Sequence, residues 1–325
     1  MKGNGRAAAP RSDMADTESG LVVAGFGRHV LVEKADGQRV ICHPRGKKNQ
    51  AVVGDRVRWL PSEDEGTIEK VDPRDNLFYR SDELRTKSFA ANLDQVLILM
   101  AAEPEFSENQ LTRALIAAEA AKIKPIIALN KSDLAGPFGR AWAKLAPYRA
   151  MGYQMLSLAI KPNANAAQGQ TQIQDLMPLM QGKKTLVLGP SGAGKSSLTN
   201  LLVPDARVLT AEISQALNSG KHTTTSTTLY WMDAARQSAL IDSPGFQEFG
   251  VHHIEPMQLA SLMPDLKKHA QNCKFYNCTH LHEPGCGVLA EVQRPADPLL
   301  GPSSISAARY RLYGELFAEL SQTRY

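Results

Sequence analysis

Apolar and polar positions alternate in short runs between residues 20 and 72, and the runs at 21–26, 29–33, 39–43, 56–60 and 66–71 predict strands. Gly, Asp and Pro punctuate them where turns are needed. This many short strands in so little chain points to a small closed barrel, and the oligonucleotide-binding (OB) type is the natural candidate; a sandwich would usually want more strands. From Leu93 the rhythm changes. An apolar run at 96–102 is followed by an amphipathic helix at 108–121, and a second apolar run, 125–129, leads directly into Asn130. Another helix and strand carry the chain to about Ser157. After a polar connection at 161–172 come a helix at 173–180, a strand at 185–188, a helix at 197–202 and strands at 227–231 and 238–241. Strand–helix alternation of this kind predicts a mostly parallel sheet covered by helices. The chain ends in a helix over 304–321, whose apolar face includes Ile305, Ala308, Leu312, Leu316 and Leu320.

Composition narrows the class. The 325 residues are 43% hydrophobic, enough for two or three domains. The longest apolar run is 96–102, far short of the roughly 20 residues that span a bilayer. Residues 1–19 are polar and lack the apolar core of a signal peptide, so a disordered tail on a cytoplasmic protein is expected. A net charge of +4 does not by itself imply a nucleic-acid partner, and local clustering must carry that claim. Three of the four cysteines fall between 273 and 286 beside histidines, which in a cytosolic chain reads as a metal site before a disulfide. Cys42 stands alone and is expected to be a small buried hydrophobe.

The candidate chemistry sits at strand ends. Gly189, Pro190, Ser191, Gly192, Ala193, Gly194, Lys195 and Ser196 complete a phosphate loop between an apolar strand and a helix that continues through Ser197. Its amides would face the phosphates at a helix N-terminus, Lys195 would reach the β- and γ-phosphates, and the Ser196 hydroxyl would ligate Mg²⁺. Asn130, Lys131 and Asp133 form an NKxD base reader. The Asp133 carboxylate can accept from guanine N1–H and the exocyclic amine, which adenine cannot offer; Lys131 can lie along the base, and Asn130 can tie the base loop to the phosphate loop. Ser157 and Leu158 end the next strand as a second base loop, whose main chain would meet the guanine carbonyl. Asp242-Ser-Pro-Gly245 ends another strand: Asp242 would hold Mg²⁺ through water, and the Gly245 amide would sense the γ-phosphate. Thr223 or Thr224, in a Gly-Lys-His-Thr-Thr-Thr segment, would complete the Mg²⁺ shell as a switch threonine does.

The motif order is unusual: NKxD precedes the phosphate loop, whereas in an ordinary GTPase it closes the domain. This order, the GKHTTT segment, the upstream barrel and the downstream Cys/His cluster resemble the bacterial small-ribosomal-subunit biogenesis GTPase family (RsgA, also called YjeQ or EngC), from about residue 20 to the end. The resemblance implies an OB-type barrel at 20–75, a circularly permuted GTPase domain at 76–251, and a zinc-binding, mostly α domain with a C-terminal helix at 252–325. It also implies hydrolysis of GTP stimulated by the small ribosomal subunit, late in that subunit's maturation. Two other readings are a nucleotide-gated RNA-binding scaffold with incidental turnover and an ATP-using phosphate-loop enzyme, the latter opposed by Asp133.

In Ras-like GTPases a Gln after DxxG orients the attacking water; here Phe246 stands at that position. His222 beside the switch threonines is the first candidate to replace it and Gln247 the second, and the family resemblance favours the histidine. Cys273, Cys278, His280 and Cys286 form a Cys₃His set suited to structural Zn²⁺, with His282 as the alternative nitrogen and the family pattern favouring His280. For RNA, the barrel carries Arg39, Arg45, Lys47, Lys48, Arg56 and Arg58, and Arg45–Lys48 reads as an exposed basic loop. Lys267, Lys268 and Lys274, with Phe275 and Tyr276, offer a second patch; Arg309, Tyr310, Arg311 and Tyr313 offer a third, with Tyr313 also a candidate for the core. A monomer is expected. Because the permuted domain ends just after its switch, movement at Gly245 is expected to pull on the zinc domain.

Overall fold

The structure is a computed structural model that describes residues 17–46, 50–62, 65–161, 169–206, 226–294 and 303–322, with backbone only for 169–172. It divides between Arg74 and Asp75 into two compact units.

The first unit is the expected barrel. Strands β1 (Glu18–Phe26), β2 (His29–Glu33), β3 (Arg39–Pro44), β4 (Arg56–Leu60) and β5 (Gly66–Val71) pair in the order β1-β2-β3-β5-β4, and β4 closes back on β1. Only the β3–β5 pairing is parallel. Alternation places Val22, Val30, Val32, Val57, Trp59 and Ile68 inside with Cys42. Burial pushes the Cys42 thiol up to about 11, consistent with a role as packing material. β1 already begins at Glu18, inside the stretch expected to be tail, because Glu18–Leu21 pair with Arg56–Trp59.

In the second unit, β8 (Gln95–Ala101), β9 (Lys124–Asn130), β10 (Gln154–Ser157), β11 (Lys184–Leu188) and β13 (Ala239–Asp242) form a parallel sheet ordered β10-β9-β8-β11-β13, edged by antiparallel β12 (Thr228–Trp231). β8 is buried along its whole length, as a strand covered on both faces must be. The accompanying helices are α1 (Glu108–Ala120), α2 (Ala135–Lys144), α3 (Ala146–Ala150), α4 (Gly169–Met180) and α5 (Lys195–Leu202). Ser107 caps α1 by accepting from the Gln110 amide, and the helix packs Leu111, Ala114, Leu115 and Ala118 inward. The sequence pattern gave no warning of a separate hairpin, β6 (Leu77–Ser81) with β7 (Thr86–Ala91).

After a 3₁₀ segment at Pro256–Leu262 come α6 (Pro264–Ala270), α7 (Gly287–Val292) and α8 (Ala307–Leu320). Here the structure corrects the third RNA patch. Arg309 is buried (3% exposed); its guanidinium donates to Asp265 at 2.9 and 3.2 Å and to Thr112 Oγ1 at 2.7 Å, and lies 5.1 Å from the Tyr148 ring centroid. Tyr313 is likewise buried, and its hydroxyl donates to the Thr279 carbonyl at 2.6 Å. A basic residue on the inner face of α8 is paid for by a complete set of polar partners, so it fastens this region to α1 and offers RNA nothing. Arg113 of α1 adds a forked contact to Glu319. Arg311 remains exposed beside Glu315.

Candidate functional site

Four of the predicted motifs lie at the carboxyl ends of parallel strands of one sheet, with β8 between β9 and β11, the general location of ligand crevices in such sheets. Asn130 ends β9, Ser157 ends β10, the phosphate loop follows β11, and Asp242 ends β13.

Asn130 joins three of these pieces. It is 5% exposed; its Nδ2 donates to the Ala193 carbonyl at 3.0 Å, and its Oδ1 accepts from the Ile160 amide at 3.1 Å. The expected tie between base loop and phosphate loop is therefore present, and it extends to the loop after β10. Gly194, at φ 107°, makes the approach possible: a Cβ there would lie 2.5 Å from Asn130 Nδ2. Lys131 adopts φ 68° and its ammonium donates to the Glu103 carbonyl. Asp133 is half-buried at the start of the turn leading to α2. Leu158 departs from expectation. It is fully buried, its amide donates to the Leu129 carbonyl at 2.8 Å, and its carbonyl accepts from the Ser132 amide at 3.0 Å. With both main-chain groups engaged, Leu158 braces the base loop, and its neighbour Ser157 is half-buried.

In the phosphate loop, Lys195 is 8% exposed and its Nζ donates to the Gly189 and Pro190 carbonyls at 2.8 and 2.9 Å. Burial pushes its pKa down, opposed by the Asp242 carboxylate. Ser196 is exposed and Ser197 half-buried on the first turn of α5. Burial raises Asp242 to about 6 against the pull of Lys195, and its Oδ1 is a buried acceptor without a hydrogen-bond partner among the described residues. A cation is the natural complement of such an oxygen. Gly245 lies against the loop: a Cβ there would come 3.0 Å from Lys195 Nζ and 3.2 Å from the Ser191 amide nitrogen. Phe246 turns inward, 3% exposed, while Gln247 is exposed. His222, Thr223 and Thr224 lie outside the described residues, as do Lys47 and Lys48 of the basic loop. Arg45 is 63% exposed and paired with Glu69 at 2.7 Å.

The second centre is the Cys/His loop. Cys273, Cys278, His280 and Cys286 bring their ligand atoms within 4.8 Å of one another and can hold a metal ion. His280 Nδ1 lies 3.4 and 3.5 Å from the Cys273 and Cys286 sulfurs, which are 3.9 Å apart. His282 is exposed and outside this set. Amides of Gly287 and Leu289 donate to the Cys273 and Cys286 sulfurs at 3.4 Å. Sequence reasoning missed Glu283. Its carboxylate accepts from the Thr279 hydroxyl and amide and from the Leu281 and His282 amides, knitting the loop that carries His280. Burial alone would raise its pKa, but these bonds hold it well below the usual carboxylate range. The lone acid between two ligand residues was the available signal. Tyr310 of α8 donates to the His280 carbonyl at 2.8 Å. Lys267, Lys268 and Lys274 are exposed beside the loop, as are Phe275 (41%) and Tyr276 (fully).

A sequence-family model described as RsgA GTPase matches residues 71–252. The small ribosomal subunit biogenesis GTPase RsgA of Variovorax paradoxus (strain S110) is 72% identical over 306 residues, covering 94% of this chain and 93% of its own. Its counterpart of the same name from Paraburkholderia phytofirmans (strain DSM 17436 / LMG 22146 / PsJN) is 49% identical over 319 residues, 97% of each chain. Among solved structures, YloQ, described as a circularly permuted GTPase, aligns with a TM-score of 0.65 at 26% identity, covering 98% of this chain and all of that one. YjeQ from Thermotoga maritima aligns with a TM-score of 0.68 at 28% identity, covering 95% and 100%.

Proposed function

The chain belongs to the RsgA GTPase family, and from that premise we propose that it binds the small ribosomal subunit and its rRNA, hydrolyses GTP there, and acts in that subunit's late maturation. The observation that carries the reading is the convergence of Asn130, the phosphate loop and Asp242 at neighbouring strand ends, linked by the Asn130 hydrogen bonds. Lys131 and Asp133 read guanine. The loop from Gly189 to Ser197 holds the phosphates, with Lys195 redirected from the Gly189 and Pro190 carbonyls to the β- and γ-phosphates. Ser196, Asp242 and a switch threonine, Thr223 or Thr224, would hold Mg²⁺, which when bound would neutralise charge building on the phosphates. The Gly245 amide reports the γ-phosphate. Phe246 cannot orient water, so that task falls to His222, with the ribosomal partner as activator.

The Cys₃His set would hold one structural Zn²⁺. A sulfur separation of 3.9 Å agrees with the roughly 3.8 Å expected across a tetrahedron of Zn–S bonds near 2.3 Å. Amide N–H···S bonds suit thiolates, and four protein ligands match the closed set of a structural site. Arg45, Lys47 and Lys48 of the barrel contact rRNA. The working division is a barrel at 20–75, a permuted GTPase domain at 76–251 and a zinc domain at 252–325, in a monomer of the cytoplasm. Among the described residues no helix is long and apolar enough to cross a membrane.

The test is steady-state GTP hydrolysis in Mg²⁺ buffer, alone and with purified small or large ribosomal subunits. Small subunits should stimulate turnover more than about tenfold, large subunits should not, and Ser196→Ala should abolish the effect. Binding to the small subunit without stimulation would move the reading to a nucleotide-gated scaffold, which the inward-turned Phe246 favours.

A further inference from the structure

We propose that the β6–β7 hairpin is a clamp that positions the 242–245 switch from outside the nucleotide site, with Phe78 and Arg80 as positioning residues and Gly250 as the residue that lets it close. The clamp rests on the GTPase reading and deepens it.

The chain leaving the switch is held along its length by this hairpin. Phe246 packs edge-on to Phe249, with centroids 5.4 Å apart and ring planes at 75°. Phe249 stacks parallel to Phe89 of β7 at 6.1 Å and tilts against Phe78 of β6 at 5.9 Å. The backbone is laddered as well. The Ser81 amide donates to the Gly250 carbonyl at 3.1 Å, and the His252 amide donates to the Ser81 carbonyl at 2.9 Å, giving a short parallel bridge between Ser81 and Val251. The Arg80 guanidinium donates to the Glu248 carbonyl. Gly250 is required at this crossing: a Cβ would sit 2.2 Å from Asp82 Oδ1 and 2.5 Å from the Ser81 carbonyl oxygen.

The same segment touches the nucleotide loop at its other end. The Phe246 amide donates to the Gly189 carbonyl at 3.4 Å, and Gly245 lies over Lys195. Gly245 and Phe246 therefore lie between the phosphate loop and the clamp. Residues that read the base and the inner phosphates lie on other loops. Loosening the clamp should displace the γ-phosphate sensor and leave the ground-state grip on nucleotide intact, so the loss should appear in kcat and not in KM.

The experiment uses the full chain. Arg80→Ala and Gly250→Ala should each lower kcat about tenfold, because small misplacements of reacting groups are costly, with KM and GDP affinity within about twofold of wild type. Arg80→Lys should recover part of the loss, and Leu84→Asp at the exposed hairpin tip should leave basal turnover unchanged. Unchanged kcat in both clamp variants, or GDP affinity falling in step with kcat, overturns the proposal. Hydrogen exchange of the wild-type protein supplies a readout that needs no variant to fold. The Ser81 and His252 amides should exchange more slowly with a non-hydrolysable GTP analogue than with GDP, and identical exchange also overturns the clamp. A wild-type chain that fails to turn over GTP even with small subunits removes the catalytic reading, while the exchange comparison still decides the clamp.

Discussion

Asp242 is a buried carboxylate whose ionisation works against the fold, as expected of the cation-binding role proposed for it. Burial raises its pKa from 3.8 to about 6, the pull of Lys195 notwithstanding. A raised carboxylate pKa means that the folded chain favours the protonated form. Its contribution to stability is therefore greatest below about pH 4 and is lost as pH rises through about 6. At pH 7 the ionised group costs at most about 3 kcal/mol. Asp242→Asn should accordingly raise the melting temperature of the nucleotide-free protein at pH 7 by a few degrees, with a smaller gain at pH 5, while abolishing Mg²⁺-dependent turnover. Thermal scans at the two pH values, paired with hydrolysis assays, check both halves. Gly194 is the complementary case, since its φ of 107° and the 2.5 Å approach to Asn130 leave no room for a methyl group. Gly194→Ala should weaken GDP binding by at least about tenfold, roughly 1.4 kcal/mol, as titration with a fluorescent nucleotide would measure.

At the scale of elements, α8 has two tasks that its sequence mixes. Leu312, Tyr313 and Leu316 bury the expected face, but Arg309 shares it. Arg309→Ala would strand Asp265, itself 6% exposed, and should destabilise the second unit by about 3–5 kcal/mol; denaturant titration followed by the loss of bound nucleotide would report it. The Cys/His loop is expected to depend on a bound metal in the same way. Removing the metal with a strong chelator should release about one Zn²⁺ per chain and lower the melting temperature, because the loop carries only short helices of its own. Metal analysis before and after chelation checks the stoichiometry. Period and punctuation predicted β2, β4 and β5 at the residues where they lie. The β6–β7 hairpin escaped because Phe78 and Phe89 find their burial against Phe249, more than 150 residues away, and no local pattern announces a remote partner.

For the whole molecule, the division at Arg74 separates the barrel from the candidate nucleotide site. The chain from residue 75 onward should therefore fold alone and bind GDP within a few-fold of the full-length protein, while losing affinity for the small subunit. Calorimetry with GDP and co-sedimentation with subunits measure the two properties separately. The candidate chemistry could be read from the residues alone: the phosphate loop, the proposed guanine reader, the proposed cation-binding carboxylate and the Cys₃His set are short motifs whose groups are arranged by a few residues of local backbone at the end of a strand or within one loop. Their order along the chain likewise marks the permutation without any coordinates. The relations between distant segments, by contrast, emerge only from the folded chain. Arg309 belongs to the core and not to an RNA surface, and Leu158 braces the base loop with both main-chain groups. His280, not His282, faces the three sulfurs, and the switch runs into a hairpin. Burial and hydrogen-bond partnership are properties of the neighbours a residue meets in space, and those neighbours are chosen by the fold.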